Sequence, residues 1–356
     1  MFVPPHCPNR QCSAHLQPEA VEGRFYTPNG HYQPKCRSFP VPRFKCRICR
    51  VGFSRQTLRE DYCDNKPHLN AALFKFLASG MGLRQSARIL NLSRRCTELK
   101  ARKISRHLGK LHRNLMGQMP EGSVFSLDEM ETFEGERAVL PLTLPILIET
   151  NSMFVVSTDV APIKPSGKMS KERLLAIAAA EQVRGPRRDD SLNALNRTFR
   201  RFRYYCRDHA PIRFISDKKQ VYSSLLRKFF GDGIPHTQIS SKVKRDQGNP
   251  LRHINLTNAM ARDLNGRLRR ESWLVSKKGK FLRLQMLIFT VYRNYIRRRT
   301  NREALTPAMQ LGFLSRPLRF EELLTWRQDF RERSLHTLGR GNVSVADVRS
   351  TQLKAA

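Results

Sequence analysis

The chain has 356 residues, with 65 Lys+Arg against 30 Asp+Glu, a formal charge of +35 and a pI near 10.8. That length can bury a sizeable core in two or three domains, and a mean hydropathy of −0.52 with no run of 18 apolar residues describes a soluble chain without a membrane span. Met1-Phe2-Val3-Pro4-Pro5 leads straight to Cys7 with no secretory leader, so a reducing compartment is expected and the eight cysteines read as metal ligands or buried thiols, not disulfides.

Positive charge is spread along the whole chain, and a folded protein tolerates such self-repulsion best when it meets a polyanion, most often nucleic acid. Cys7-Pro-Asn-Arg-Gln-Cys12 and Cys46-Arg-Ile-Cys49 form two close pairs. Two thiolates on a tight knuckle reach one tetrahedral ion, and the second pair closes the site from another hairpin, the plan of a zinc ribbon over residues 1–62. A segment this short lacks a core, and a structural Zn²⁺ would supply the missing folding energy. His6, His15, Cys36 and Cys63 are substitute ligands, whereas Cys96 and Cys206 lie in helix-like sequence as plain thiols.

From Leu69 the period turns helical. Leu69, Ala72, Leu73, Phe76 and Leu77 make one apolar stripe, Leu83, Ala87 and Leu90 a second, and Ile104, Leu108, Leu111 and Leu115 a third behind Ser93 as N-cap. This is the layout of a helix-turn-helix over residues 67–118, whose last helix would offer Arg94, Arg95, Thr97, Glu98 and Lys100 to a major groove.

After the linker at Met119–Gly122 comes a strand-rich centre. Val124–Phe133 is an apolar run that ends in acid; Leu142–Glu149 and Met153–Ala161 follow as a hairpin, and Pro211–Asp217 is another strand with an Asp at its carboxyl end. Ligands of open α/β sheets sit at the carboxyl ends of strands, so Asp128 and Asp217 are expected to face one crevice and to suit Mg²⁺. Glu129 should point to the opposite face of its strand. Residues 164–190 read as a polar insertion with one short helix, and Ser191–Cys206 and Val221–Phe230 as helices. Leu251–Arg270 reads as a helix with a basic face that includes Arg262, Arg269 and Arg270, and Phe281–Tyr295 as one more helix. Residues 301–356 read as a helical segment and a loose tail.

The order of these parts resembles bacterial insertion-sequence transposases of the DDE class. The resemblance rests on Arg43–Cys49 with Phe53–Thr57, Gly80–Leu90 (which contains Arg84), Ser126–Glu129, Asn255–Thr257 through Arg269-Arg270, Ser276–Lys278, Tyr292–Tyr295 and Thr306–Ala308, and covers about Cys7 to Leu324. It implies an RNase H-like α/β core over residues 122–300, in which two Asp and a later acid hold Mg²⁺ or Mn²⁺. It also implies an enzyme that binds the terminal repeats of its own element, cuts and joins DNA strands, acts as a homo-oligomer on DNA and works in the bacterial cytoplasm at the nucleoid. Asp128 and Asp217 match the first two acids, and Arg84, Arg94, Arg95, Thr97, Lys100, Arg269 and Arg270 become the DNA-binding set.

The third acid departs from the family pattern, because Asn255 stands where the family has Glu, and an amide supplies no anionic ligand. Asp263 is the expected substitute, although eight residues along a helix amount to about 12 Å and 80° of rotation; Asp246 and Glu271 are alternatives. The rival reading is an inactive, sequence-specific DNA-binding regulator derived from such an enzyme. An RNA-binding zinc protein ranks last, since 8% aromatic residues leave few rings for exposed strands.

Overall fold

Two β systems with different jobs follow one another along the chain. The structure, a computed structural model, describes residues 2–326 except 37, 58, 207–210, 241, 245, 270–273 and 275. At the amino end a helical turn, α1 (Ser13–Leu16), precedes a three-stranded antiparallel sheet of β1 (Tyr26–Tyr32), β2 (Val41–Cys46) and β3 (Gly52–Ser54). Its core is small: Phe25, Phe44 and Phe53 pack with Cys7, Cys12, Ala14 and Cys46.

Three helices follow: α2 (Asn70–Ala78), α3 (Leu83–Ile89) and α4 (Arg94–Leu115). Ser93 caps α4, its Oγ accepting from the Cys96 amide at 3.2 Å. Leu73, Phe74 and Leu77 of α2 and Ile104, Leu108 and Leu111 of α4 belong to the same buried cluster as Phe125 and Phe214 of the central sheet, so these helices share a core with it. Buried polar ties reinforce the union: His112 Nδ1 lies 2.8 Å from Tyr295 Oη, and Gln285 Nε2 donates to the Leu77 carbonyl at 3.0 Å.

The central sheet is mixed and has six strands: β4 (Val124–Phe133), β5 (Pro141–Glu149), β6 (Phe154–Thr158), β7 (Ala161–Pro162), β8 (Arg213–Asp217) and β9 (His236–Ile239). The order is β6-β5-β4-β8-β9, with β7 on β5; β4–β5 and β5–β6 are antiparallel, whereas β8 and β9 run parallel to β4. Between them lie α5 (Lys171–Arg184), α6 (Ser191–Tyr205) and α7 (Gln220–Phe230), and beyond them α8 (Arg252–Leu264), α9 (Gly279–Val291), a π-helical turn (Tyr292–Ile296), α10 (Pro307–Gln310) and α11 (Phe320–Thr325). The period-2 alternation of β4 sorts the layers. Phe125 and Leu127 join the cluster containing Phe199, Phe202 and Tyr222 of α6 and α7. Met130 joins the one containing Ile254, Leu264, Leu282 and Met286 of α8 and α9. β5 is apolar almost throughout because both of its faces are covered.

The edge strand β6 is closed by a side chain, since Asn294 accepts from the Val155 amide at 2.8 Å and donates to the Val155 carbonyl at 2.9 Å. Asp159, 1% exposed, ties this edge to α6 and α9 through Arg197 Nε at 2.7 Å and Arg283 Nε at 2.9 Å. Asp159→Ala is expected to cost about 2–4 kcal/mol in urea unfolding, somewhat less than for a fully buried pair because the orphaned arginines reach water. A loss under about 0.5 kcal/mol would remove the clamp from the fold's supports. No helix among the described residues is long and apolar enough to cross a membrane.

Two elements differ from expectation. α8 ends at Leu264 and does not run to Arg270: Asn265 Nδ2 turns back to the Ala261 carbonyl at 2.7 Å, and a side chain at Gly266 would meet the Gly80 carbonyl at 2.8 Å. The strand β9 has no signature in the sequence, because His-Thr-Gln-Ile is short and polar.

Candidate metal and acid sites

The four cysteines converge. Cys7 and Cys12 flank the first knuckle, Cys46 ends β2, and Cys49 lies in the tight turn after it, followed by Arg50 with a φ of 60°. The four Sγ atoms lie within 4.8 Å of one another, with Cys7–Cys49 at 3.5 Å and Cys12–Cys46 at 3.9 Å. A tetrahedron with Zn–S near 2.3 Å has sulfur separations of about 3.8 Å, so this group can hold a structural metal such as zinc. Burial opposes the thiolate, yet the Val51 amide and the thiols of Cys7 and Cys46 bring Cys49 down to about 7. The substitute ligands stay outside: His6 and His15 contact the Cys7 carbonyl at 2.9 and 2.6 Å, Cys36 is half-buried and Cys63 exposed.

The second site stands where the carboxyl end of β8 meets the middle of β4. Their parallel register pairs Leu127 with Ser216, so the next residues, Asp128 and Asp217, lie side by side on one face, with about 4.8 Å between the backbones; Asp217 ends β8, whereas Asp128, expected at a strand end, stands midway along β4, which runs on to Phe133 paired with β5. That face looks toward α8, whose Asn258 donates from Nδ2 to Asp128 Oδ2 at 2.7 Å. Asn258 is 5% exposed, and its Oδ1 has no hydrogen-bond partner among the described residues. Two carboxylates with an unsatisfied buried amide oxygen form a donor set of the hard, all-oxygen kind that Mg²⁺ or Mn²⁺ takes.

Glu129 does point to the other face, where Thr143 Oγ1 donates to it at 3.0 Å, Tyr222 Oη at 2.9 Å and Lys219 Nζ pairs with it. Yet Glu129, Asp128, Asp217, Lys219 and Tyr222 all line one cleft. Burial, together with the carboxylates of Glu129, Asp217 and Asp128, pushes the Tyr222 phenol far up, so it stays a neutral donor.

The structure does not bring Asp263 to this cleft. It is five residues past Asn258, about 140° around α8, and is exposed with its carbonyl toward Arg269. Among the described residues the cysteines are the only group of three or more Cys, His, Asp or Glu ligand atoms this close together. Asp246 sits in an exposed turn and accepts from the Gly248 amide; Glu271 lies outside the described residues. The residue that touches Asp128 is Asn258, one helical turn from Asn255, and the shared face of an i, i+3 pair was the signal that could have found it.

The DNA-binding set divides. Arg84, Arg94, Arg95 and Arg269 are exposed, and Arg270 lies outside the described residues. Thr97 and Lys100 face inward, against expectation: Thr97 Oγ1 donates to the Ser93 carbonyl at 3.1 Å, and the Lys100 ammonium is buried against Asp64, the Lys66 carbonyl at 2.8 Å and Asn70 Oδ1 at 2.9 Å. In a helix read from one end, Thr97 and Lys100 share a stripe with Ile104, and that stripe is the core side. Burial alone would raise the Asp64 carboxyl, but Lys100 and Asn70 hold it below its ordinary range. Its contribution is therefore present above about pH 4 and lost as pH falls through the lower folded value. Lys100→Met is expected to flatten the acid limb of a stability-against-pH curve; an unchanged slope below pH 4 would exclude the pair as its source.

The chain matches no family model, and it has no match among curated proteins. What stands is a mixed α/β protein with a cluster of four cysteines able to hold a structural metal and an acid-lined cleft.

Proposed function

We propose that this protein is a divalent-metal-dependent DNA transposase with an RNase H-like core. The observation that carries the reading is the register that sets Asp128, midway along β4, beside Asp217 at the end of the adjacent parallel strand β8, with Asn258 of α8 against Asp128. The order β6-β5-β4-β8-β9, three consecutive antiparallel strands followed by two parallel ones, supports the RNase H-like assignment that the motif order suggests. Asp128, Asp217 and the Asn258 amide oxygen would hold the metal, which when bound supplies charge stabilisation and a readied water or 3′-hydroxyl for phosphodiester chemistry. The surplus of cations, including exposed Arg84, Arg94 and Arg95, holds the DNA by its phosphates. The test is Mg²⁺- or Mn²⁺-dependent cleavage of the DNA flanking the protein's own gene, run beside a binding assay with Asp128→Asn as control. Metal-dependent cutting that this substitution removes is the expected result.

A specific observation favours a second reading. The helix residue against Asp128 is an amide, so the site has two carboxylates where the family has three, as expected of an inactive DNA-binding regulator. Tight, sequence-specific binding with no cutting under either metal would decide for it.

A further inference from the structure

A second depression adjoins the acid cleft: Glu131 and Ser166 line both. It has a volume of about 680 Å³, within the range of sites that enclose a sizeable ligand. Its walls carry Arg137 and Arg173 on one side and Arg262 and Arg269 from the end of α8 on the other, while Phe133 and Leu268 give it apolar surface. Among the described residues four guanidinium groups and a single carboxylate, Glu131, line it, and Glu131 is itself exposed. Backbone carbonyls steady two of the arginines: Arg173 Nε donates to Ala138 at 3.2 Å and Arg269 Nη2 to Asp263 at 3.3 Å, which fixes them without neutralising them. Along β4, Glu131 is three residues past Asp128, roughly 10 Å at the rise of a strand.

A cationic groove with one half-buried ring is the combination that holds an unpaired nucleic-acid strand, arginines on the phosphates and an aromatic face under a base. A duplex offers the same phosphates but keeps its bases stacked inside, so Phe133 would gain nothing from it. We propose that this groove binds a single-stranded stretch of DNA continuous with the strand at Asp128 and Asp217. Unpaired DNA next to the scissile phosphate is thereby the preferred substrate form, an inference that rests on the transposase reading.

The experiment measures anisotropy of a labelled fifteen-nucleotide oligo(dT) and of a duplex of equal length, over a salt series without divalent metal, in the full chain carrying Asp217→Asn. Arg137→Ala/Arg262→Ala/Arg269→Ala should lower the salt slope for the single strand by about 2, at about 0.7 for each phosphate that the protein no longer neutralises. Phe133→Ala should weaken single-strand binding about five- to a hundredfold, leave the salt slope alone and spare the duplex. Arg137→Ala by itself, at an exposed position, gives about one third of the slope change and stands in if the triple variant fails to fold. Unchanged slopes, or equal losses for single strand and duplex, overturn the proposal. Because no cutting is measured here, failure of the groove is separate from failure of the transposase reading, which is decided by the metal-dependent cleavage assay on the chain that keeps Asp217.

Discussion

Asp217→Asn is expected to lower metal-dependent DNA cleavage by about a thousandfold or more while DNA binding survives, whereas Asp263→Asn leaves cleavage within about twofold of the intact chain. The first number follows from several kcal/mol of charge stabilisation assigned to a bound metal, at 1.36 kcal/mol per factor of ten. The second follows from position, since Asp263 is exposed and turned about 140° from the residue that touches Asp128. Asn258→Asp extends the test. It would set a third carboxylate where Nδ2 now donates to Asp128 at 2.7 Å, and like charges that close repel unless they share a proton or a cation. The variant should melt below the intact chain without metal and recover, with tighter Mg²⁺ binding, when Mg²⁺ is added. Calorimetric melting with and without Mg²⁺ checks it; a variant indifferent to Mg²⁺ would mean that the cleft is no cation site. Full cleavage by Asp217→Asn would remove the acid pair from the chemistry.

Removing the metal from the cysteine site, by chelation or Cys46→Ser, is expected to unfold residues 2–62 while the sheet domain stays folded. The ribbon's buried cluster is seven residues, three of them Phe and three of them the cysteines themselves, far too little to offset the chain entropy of some sixty residues. Structural zinc brings about 10–16 kcal/mol of apparent binding free energy in comparable small domains, and nearly all of it is folding free energy. One Zn²⁺ per chain by elemental analysis and new protease cuts confined to the ribbon after chelation are the readouts. Because the ligands are thiolates, the apparent affinity should fall as pH is lowered. A proteolysis pattern unmoved by chelator would show that the ribbon stands without metal.

Several features could be read directly from the chain because each is governed by neighbours in sequence. The apolar run at Val124–Phe133 coincides with β4, and Ser93 caps α4, since strand periodicity and capping act within a few residues. The two close cysteine spacings, with four residues between the first pair and two between the second, mark the knuckles that meet at one point. Less was legible where partners come from afar. Lys100 looked like a groove-reading cation, but Asp64, thirty-six residues earlier, draws it inside. β9 has almost no apolar signature and exists because β8 offers it an open edge. The stop of α8 at Leu264 is imposed by Gly80 and Leu274, whose closeness to Gly266 no local pattern announces.

The sequence by itself determined the cationic character, the four cysteines that cluster, the strands that carry Asp128 and Asp217 and most of the helices, because charge, spacing and periodicity are local properties of the chain. Only the tertiary structure decided which groups meet: Asn258, 130 residues from Asp128, supplies it a partner, Glu129 is engaged by Lys219 and Tyr222, and four arginines from the β4–β5 turn, α5, α8 and the segment after α8 line one groove. The reason is physical. Pairings across such separations are set by how the layers pack and by the register of β4 on β8, and a shift of one residue there would turn Asp217 to the opposite face from Asp128.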